Sequence, residues 1–320
     1  MTMLQAATTI RLFLFLILTV QMTAAVRSGI APECNRARPQ APPGTQVEMN
    51  EYPNSIDDEF DTCHRQMYRN ITAKNSKKNL LEIELNGNDR FREAWNNAKL
   101  ELHLGNKENY KLSHEQLRKI ALRAYTRNEI YQELNRKMRT GKGTYKTDFG
   151  LISLHFLITD GIKNLQIHRR EECITTYRTM NDAVSISSPY IMRFGSFGSS
   201  SRSASVKFGN KACFIIKTCH GADISQFSAV PEEEEVLIPP YERFQSHVLD
   251  IRREHTNRIP QREWNRIPPI FNQCNSVFKL DSKDKMSNMK CELIGEKENK
   301  ILAFFKKIKA LFGQKKPLVA

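Results

Sequence analysis

The apolar positions of this chain change period once, near residue 170. Between Asn54 and about Leu165 they recur at helical spacing. In SHEQLRKIALRAYTRNEIYQELNRKMRTG, the series Leu117, Ile120, Leu122, Ala124, Ile130 and Leu134 predicts a helix. It opens on Ser113 as N-cap, with Glu115 close behind, and stops at Gly141. LISLHFLITDGIKNL, Leu151 to Leu165, predicts a second, more buried helix. From about Cys173 short runs take over. SASVKFG, KACFIIKTC and EVLIPP alternate or are β-branched, with Gly, Ser and Pro between them. A helical front half followed by a strand-rich back half predicts an α+β fold, without internal repeats.

The flanks break the pattern. Arg11 precedes an unbroken apolar run, Leu12 to Val20, with Thr23 and Ala25 at −3 and −1 of a cut after Ala25. This reads as a secretory signal peptide, because the run is too short to span a bilayer. Residues 26–48 include APECNRARPQAPPGT and predict an extended, proline-rich arm. A folded domain is expected over 49–280 and a basic tail over 281–320. In that tail Ile301, Phe304, Phe305, Ile308, Leu311 and Phe312 share one helical face, with Lys306, Lys307 and Lys309 elsewhere. Residues 301–312 fit a helix that contacts an anionic membrane or matrix, or one docked on the domain with a solvated lysine face. The C-terminus lacks the apolar tail of a lipid-anchor signal, so a released, extracellular protein is expected.

Secretion changes the reading of the cysteines. Cys34, Cys63, Cys173, Cys213, Cys219, Cys274 and Cys291 should be mostly paired, and their odd number leaves one over. None has the CxxC spacing of a zinc site, and no metal is expected. Asn70-Ile-Thr72 is a glycosylation acceptor. Lys and Arg outnumber Asp and Glu by 49 to 35 in 320 residues, a net charge of +14. The excess favours polyanions or phosphate-bearing ligands without choosing among them.

The chemistry is concentrated in three stretches. SAVPEEEEVLIPPYERF runs from Ser228 to Phe244 and sets four glutamates against an apolar strand. In an extended chain Glu233 and Glu235 share one face, Glu232 and Glu234 the other. Alone, such a run is a solvated loop as readily as a site. Upstream, CITTYRTM carries Arg178 at what reads as a strand end. RFGSFGSSSRSASVKF places Ser199, Ser200 and Ser201 after Phe197. A flexible serine linker is the plain alternative, but Phe194, Phe197 and Phe208 bracket the run.

Arg, then F-x-S-x-S, then E-x-E-V-L-I-P-P resembles the R-S-ExE signature of the vertebrate arginine-specific mono-ADP-ribosyltransferases. NSIDDEFDTC, AYTRNEIYQELNRKMR and FGLISLHFLITDGI resemble further segments of that family, so the likeness spans roughly Asn54 to Cys274. It implies a helical half packed on a mixed sheet around a cleft for NAD, used as co-substrate. Arg178 would hold the NAD phosphates. Ser199 would orient the ribose, Glu235 would be the catalytic glutamate, and Glu233 would select arginine as acceptor. Tyr145 and Ser228 match positions near NAD, and Phe227 would frame the acceptor or simply pack. The resemblance also implies the disulfides Cys63–Cys274 and Cys173–Cys219, with Cys34, Cys213 and Cys291 unassigned. Two residues depart from the pattern: Thr179 where glycine is usual, expected to tighten the NAD pocket, and Ser200 where threonine is usual.

The expected partners are therefore NAD and proteins with accessible arginines, with no nucleic acid; oligomeric state is not legible. Two alternatives remain at this point. One is an NAD glycohydrolase, with water in place of arginine. The other is a non-catalytic, basic surface-binding protein on the same scaffold.

Overall fold

The computed structural model describes residues 46–167, 172–204, 208–249 and 267–295. The signal peptide, most of the arm with Cys34, and the helix expected over 301–312 lie outside the described residues.

Six helices form the front half: α1 (His64–Ile71), α2 (Leu80–Gly87), α3 (Asp89–Glu101), α4 (His114–Tyr125), α5 (Tyr131–Thr140) and α6 (Ile152–Ile167). Their starts follow from short polar side chains. Asn79 accepts the Glu82 N–H at 3.1 Å and Asn88 accepts the Phe91 N–H at 3.0 Å. Ser113 caps α4, and its reciprocal partner is Gln116 rather than Glu115. The single helix expected from Ser113 to Gly141 is two helices. Thr126 terminates α4, and the chain turns through Thr126–Ile130 before α5 begins. The apolar α6 is buried from Ile152 to Ile162. Its first two N–H groups are taken by Glu84, at 2.6 Å from Ile152 and 2.8 Å from Ser153. Burial pushes the Glu84 carboxyl up to about 7.

Among the described residues there are ten strands, nine in the back half and one at the end of the arm. β1 (Gln46–Met49) and β3 (Ala183–Ile186) form a parallel pair, so the end of the expected arm is a strand. The others are β2 (Ile174–Met180), β4 (Ile191–Met192), β5 (Gly198–Ser201), β6 (Ala212–Thr218), β7 (Ala222–Asp223), β8 (Glu235–Ile238), β9 (Glu242–Leu249) and β10 (Ser276–Lys285). They form one sheet in the order β4-β9-β10-β6-β2-β5-β8-β7. It is mixed, with β10 parallel to β6 and the other pairs antiparallel. Residues 205–207 of the SASVKFG run lie outside the described residues; the serines just before it, Ser199 to Ser201, belong to β5. On β8, Leu237 packs with the helices, while Ile238 joins the opposite core with Phe214, Phe244 and Met49.

The folded unit extends past the boundary expected at residue 280. β10 runs to Lys285, and the chain then returns to the front half. Arg193, fully buried, pairs with the equally buried Asp57 at 2.5 Å and donates to the carbonyls of Glu51, Tyr52 and Met286. Asp57 accepts the Asn288 and Met289 N–H groups, and Asp58 those of Cys291 and Glu292. These bonds set Cys291 beside Cys63. The disulfides are Cys63–Cys291, Cys173–Cys219 and Cys213–Cys274. The expected Cys63–Cys274 bond is thus replaced. Because β10 pairs with β6 in parallel, with Val277 opposite Cys213, Cys274 arrives at the start of β6 and takes Cys213 instead.

Candidate active site

The three motif strands are neighbours. β2, carrying Arg178, lies beside β5, carrying Ser199, and β5 lies beside β8, whose first residue is Glu235. Residues far apart in sequence therefore meet across about 5 Å per strand step.

Arg178 donates from its guanidinium to the Ser199 carbonyl. That guanidinium also lies 5.8 Å from the centre of the Phe194 ring, which packs edge-on against Phe244. The turn that brings Phe194 there needs Gly195. Its φ is +65°, and a Cβ would meet the Tyr52 ring at 2.5 Å. Thr179, the departure from the family pattern, is buried and accepts the Phe208 N–H at 2.7 Å.

On β5 the three serines have different tasks. Ser199 Oγ lies 3.4 Å from the Tyr125 hydroxyl. Ser200 donates to the Val236 carbonyl at 2.9 Å, tying β5 to β8. Ser201 stands directly opposite Glu235 in the antiparallel pair, and its hydroxyl accepts the Ser203 N–H. The two-residue period of a strand puts Ser201 on the face of Ser199, the signal in the sequence that marks it.

The glutamate run is not extended throughout. Pro231–Glu233 is one turn of 3₁₀ helix, and Glu234 has φ +44°. The strand begins only at Glu235, so the shared strand face expected for Glu233 and Glu235 does not exist. Burial separates the four all the same: Glu235 is 1% exposed, Glu233 half-buried, and Glu232 and Glu234 exposed. The Glu235 carbonyl accepts the Ile224 N–H at 2.8 Å, and the Glu234 carbonyl the Arg202 N–H at 3.0 Å.

The segment before the glutamates is held by the helices. Arg123 on α4 donates to the Ser228 carbonyl at 2.5 Å, and the Thr126 hydroxyl accepts the Ala229 N–H at 2.8 Å. Arg123 is itself fixed by Glu101 at 2.6 Å, which also binds Arg127. Burial alone would raise the Glu129 carboxyl, but the Arg127 guanidinium holds it below the usual range. None of these tethers was legible in the sequence, since they join the front half to a loop over a hundred residues later.

Both residues expected near NAD are buried. Tyr145 is buried, with its ring stacked on Phe149 at 5.6 Å and edge-on to His155 at 6.4 Å. Ser228 is fully buried, and its hydroxyl accepts the Val230 N–H at 3.0 Å. Phe227 is half-buried against the helical core. Asn70 lies on α1, half-buried, and accepts from Gln66 at 3.3 Å. Among the described residues no group of three or more His, Cys, Asp or Glu is placed to hold a metal. Among them, too, no helix is long and apolar enough to cross a membrane.

Residues 49–265 match the family model described as NAD:arginine ADP-ribosyltransferase. The chain is 28% identical over 276 residues to the erythroblast NAD(P)(+)–arginine ADP-ribosyltransferase of Gallus gallus, covering 84% of this chain and 83% of that one. It is 31% identical to the ecto-ADP-ribosyltransferase 5 of Bos taurus, covering 77% of this chain and 74% of the relative. Among solved structures, the eucaryotic mono-ADP-ribosyltransferase ART2.2 superposes with a TM-score of 0.57 at 26% identity, over 77% of this chain and 98% of its own. Mutants of ART2.2 have been solved in complex with NADH and with NAD.

Proposed function

The chain belongs to the NAD:arginine ADP-ribosyltransferase family, and on that premise we propose how its residues move ADP-ribose from NAD to a protein arginine. The supporting observation is the adjacency of β2, β5 and β8, which carry Arg178, Ser199 and Glu235. Arg178 holds the NAD diphosphate with its guanidinium fork. Ser199 orients the ribose. The bond from C1′ to nicotinamide then breaks, and its electron pair neutralises the pyridinium ring. No acid is needed for a leaving group that departs neutral. The remaining cation is shared between C1′ and the ring oxygen, as in glycoside cleavage. Glu235 stabilises it. The carboxylate is buried, so little solvent must reorganise when the charge develops.

The acceptor guanidinium is protonated and a poor nucleophile. Glu233, half-buried at the end of the turn before Glu235, binds it, aims one nitrogen at C1′ and takes the proton released as the N–C bond forms. The products are ADP-ribosylated arginine, nicotinamide and one proton. We place the reaction outside the cell. Relatives are named ecto-ADP-ribosyltransferase 5 and, in Mus musculus, GPI-linked arginine ADP-ribosyltransferase 1. The signal-peptide reading supports export. The basic tail is the segment we assign to anionic surfaces.

The test is incubation of the disulfide-intact protein with labelled NAD and an arginine-rich acceptor. Label on the acceptor is expected. Glu233→Gln should lower transfer to arginine while leaving release of nicotinamide measurable. Free ADP-ribose with no labelled acceptor would mark the protein as a glycohydrolase and contradict the proposal.

A further inference from the structure

We propose that Tyr125 and Asn135 are positioning residues that fix the direction of the Ser199 hydroxyl proton. The inference rests on the reading of Ser199 as a site residue. Tyr125 ends α4 and is 1% exposed, with its ring set edge-on against Phe197 at 5.7 Å. Packing therefore fixes where its hydroxyl sits. The chain turns just beyond it and returns as α5, which brings Asn135 back to the same oxygen. The Asn135 amide donates to the Tyr125 hydroxyl at 3.1 Å. That hydroxyl in turn lies 3.4 Å from both Ser199 Oγ and the Phe197 carbonyl.

A phenol has one proton to give. With Asn135 donating to it, the Tyr125 proton is directed at the 197–199 stretch, where the Phe197 carbonyl and the Ser199 hydroxyl share it as acceptors. Once Ser199 accepts from Tyr125, its own proton is turned away from the helices. Ser199 is thereby presented to the site as a donor, which is the polarity needed toward a ribose oxygen or a carboxylate. Contacts of 3.4 Å are long for hydroxyls, and such bonds tighten when substrate is bound. The side chain at 135 decides the direction. An amide can donate, whereas a carboxylate in its place only accepts. Asn135→Asp therefore draws the Tyr125 proton toward itself and leaves Ser199 without its donor.

The experiment measures kcat and KM for NAD, with melting temperature, for Tyr125→Phe, Asn135→Asp and their double variant. The same Tyr125→Phe change is made with Ser199→Ala. Loss of one hydrogen bond in the transition state corresponds to about a five- to tenfold fall in kcat. That fall is expected for each single variant, with KM for NAD unchanged. The double variant should fall no further than the singles. With Ser199→Ala already lowering turnover, Tyr125→Phe should add nothing. A purely structural role lowers the melting temperature and lets the losses add, and that result overturns the proposal. Ser199→Ala with reduced turnover but Tyr125→Phe with normal turnover overturns the proposal alone. Ser199→Ala with full activity overturns the reading of Ser199, and the proposal with it.

Discussion

Glu234 has a left-handed backbone between two residues assigned to chemistry. A non-glycine residue there carries strain of order 1 kcal/mol, tolerated where the surroundings fix it. Here the Pro231–Glu233 turn precedes it and the Arg202 N–H holds its carbonyl. Glu234→Gly should keep activity and melting temperature close to the parent, because glycine adopts this φ freely. Glu234→Val should lower both, since a β-branched side chain is poorly suited to it. Equal behaviour of the two in a thermal melt and a transfer assay would contradict this. The motif residues Arg178, Ser199 and Glu235 were legible because their types and order were. The conformation of the run was not: four glutamates contain no Gly or Asn to announce a left-handed turn. Nor was the burial of Ser228, whose carbonyl is held by Arg123 from α4.

At the scale of elements, the break between α4 and α5 was hidden by a nearly continuous apolar period. It becomes intelligible only with the loop it serves. Thr126 caps α4 and then receives the Ala229 N–H, so the break and the glutamate loop are held by one side chain. Thr126→Val removes that acceptor at a cost of about 1 kcal/mol and should speed proteolytic cleavage of the 224–234 loop. An unchanged cleavage rate would remove the tether from the account. Within α6, His155 is fully buried, and burial pushes its imidazole down to about 3. Its ordinary value is near 6.5, so between these values the unfolded chain binds the extra proton. Stability attributable to His155 therefore falls as pH falls below 6.5, by up to about 1.4 kcal/mol per unit. Glu84 acts oppositely. Its raised carboxyl favours the folded state as pH falls from about 7 toward the ordinary carboxylate range. The two overlap, so the difference between parent and His155→Leu isolates the first. Denaturant melts from pH 7 to 5 should show that difference changing in favour of the variant.

For the whole molecule, the α+β division and the membership of the chain in its family were visible in the change of hydrophobic period and the ordered motifs. The closure of the fold was not. Asp57, Asp58 and Arg193 look like ordinary surface charges in sequence, yet they form a buried knot with residues 286–292. Asp57→Ala leaves Arg193 buried without its counter-charge, which costs on the order of 3–5 kcal/mol. The Cys63–Cys291 bond closes the same ends over a separation of 228 residues. In the chain-entropy description its loss costs on the order of 5 kcal/mol. Peptide mapping of the oxidised protein should recover Cys63 with Cys291 and Cys213 with Cys274. Recovery of Cys63 with Cys274 would contradict the closure.

The claim on which the rest depends is that Glu235, opposite Ser201 in the β5–β8 pair, drives transfer of ADP-ribose to arginine. The direct measurement is mass spectrometry of an acceptor protein after incubation with NAD and either the parent or Glu235→Gln, at matched folding by circular dichroism. ADP-ribose on arginine side chains is expected with the parent, and a fall of about a hundredfold or more with the variant. Modification of arginine at comparable rates by both proteins would contradict it.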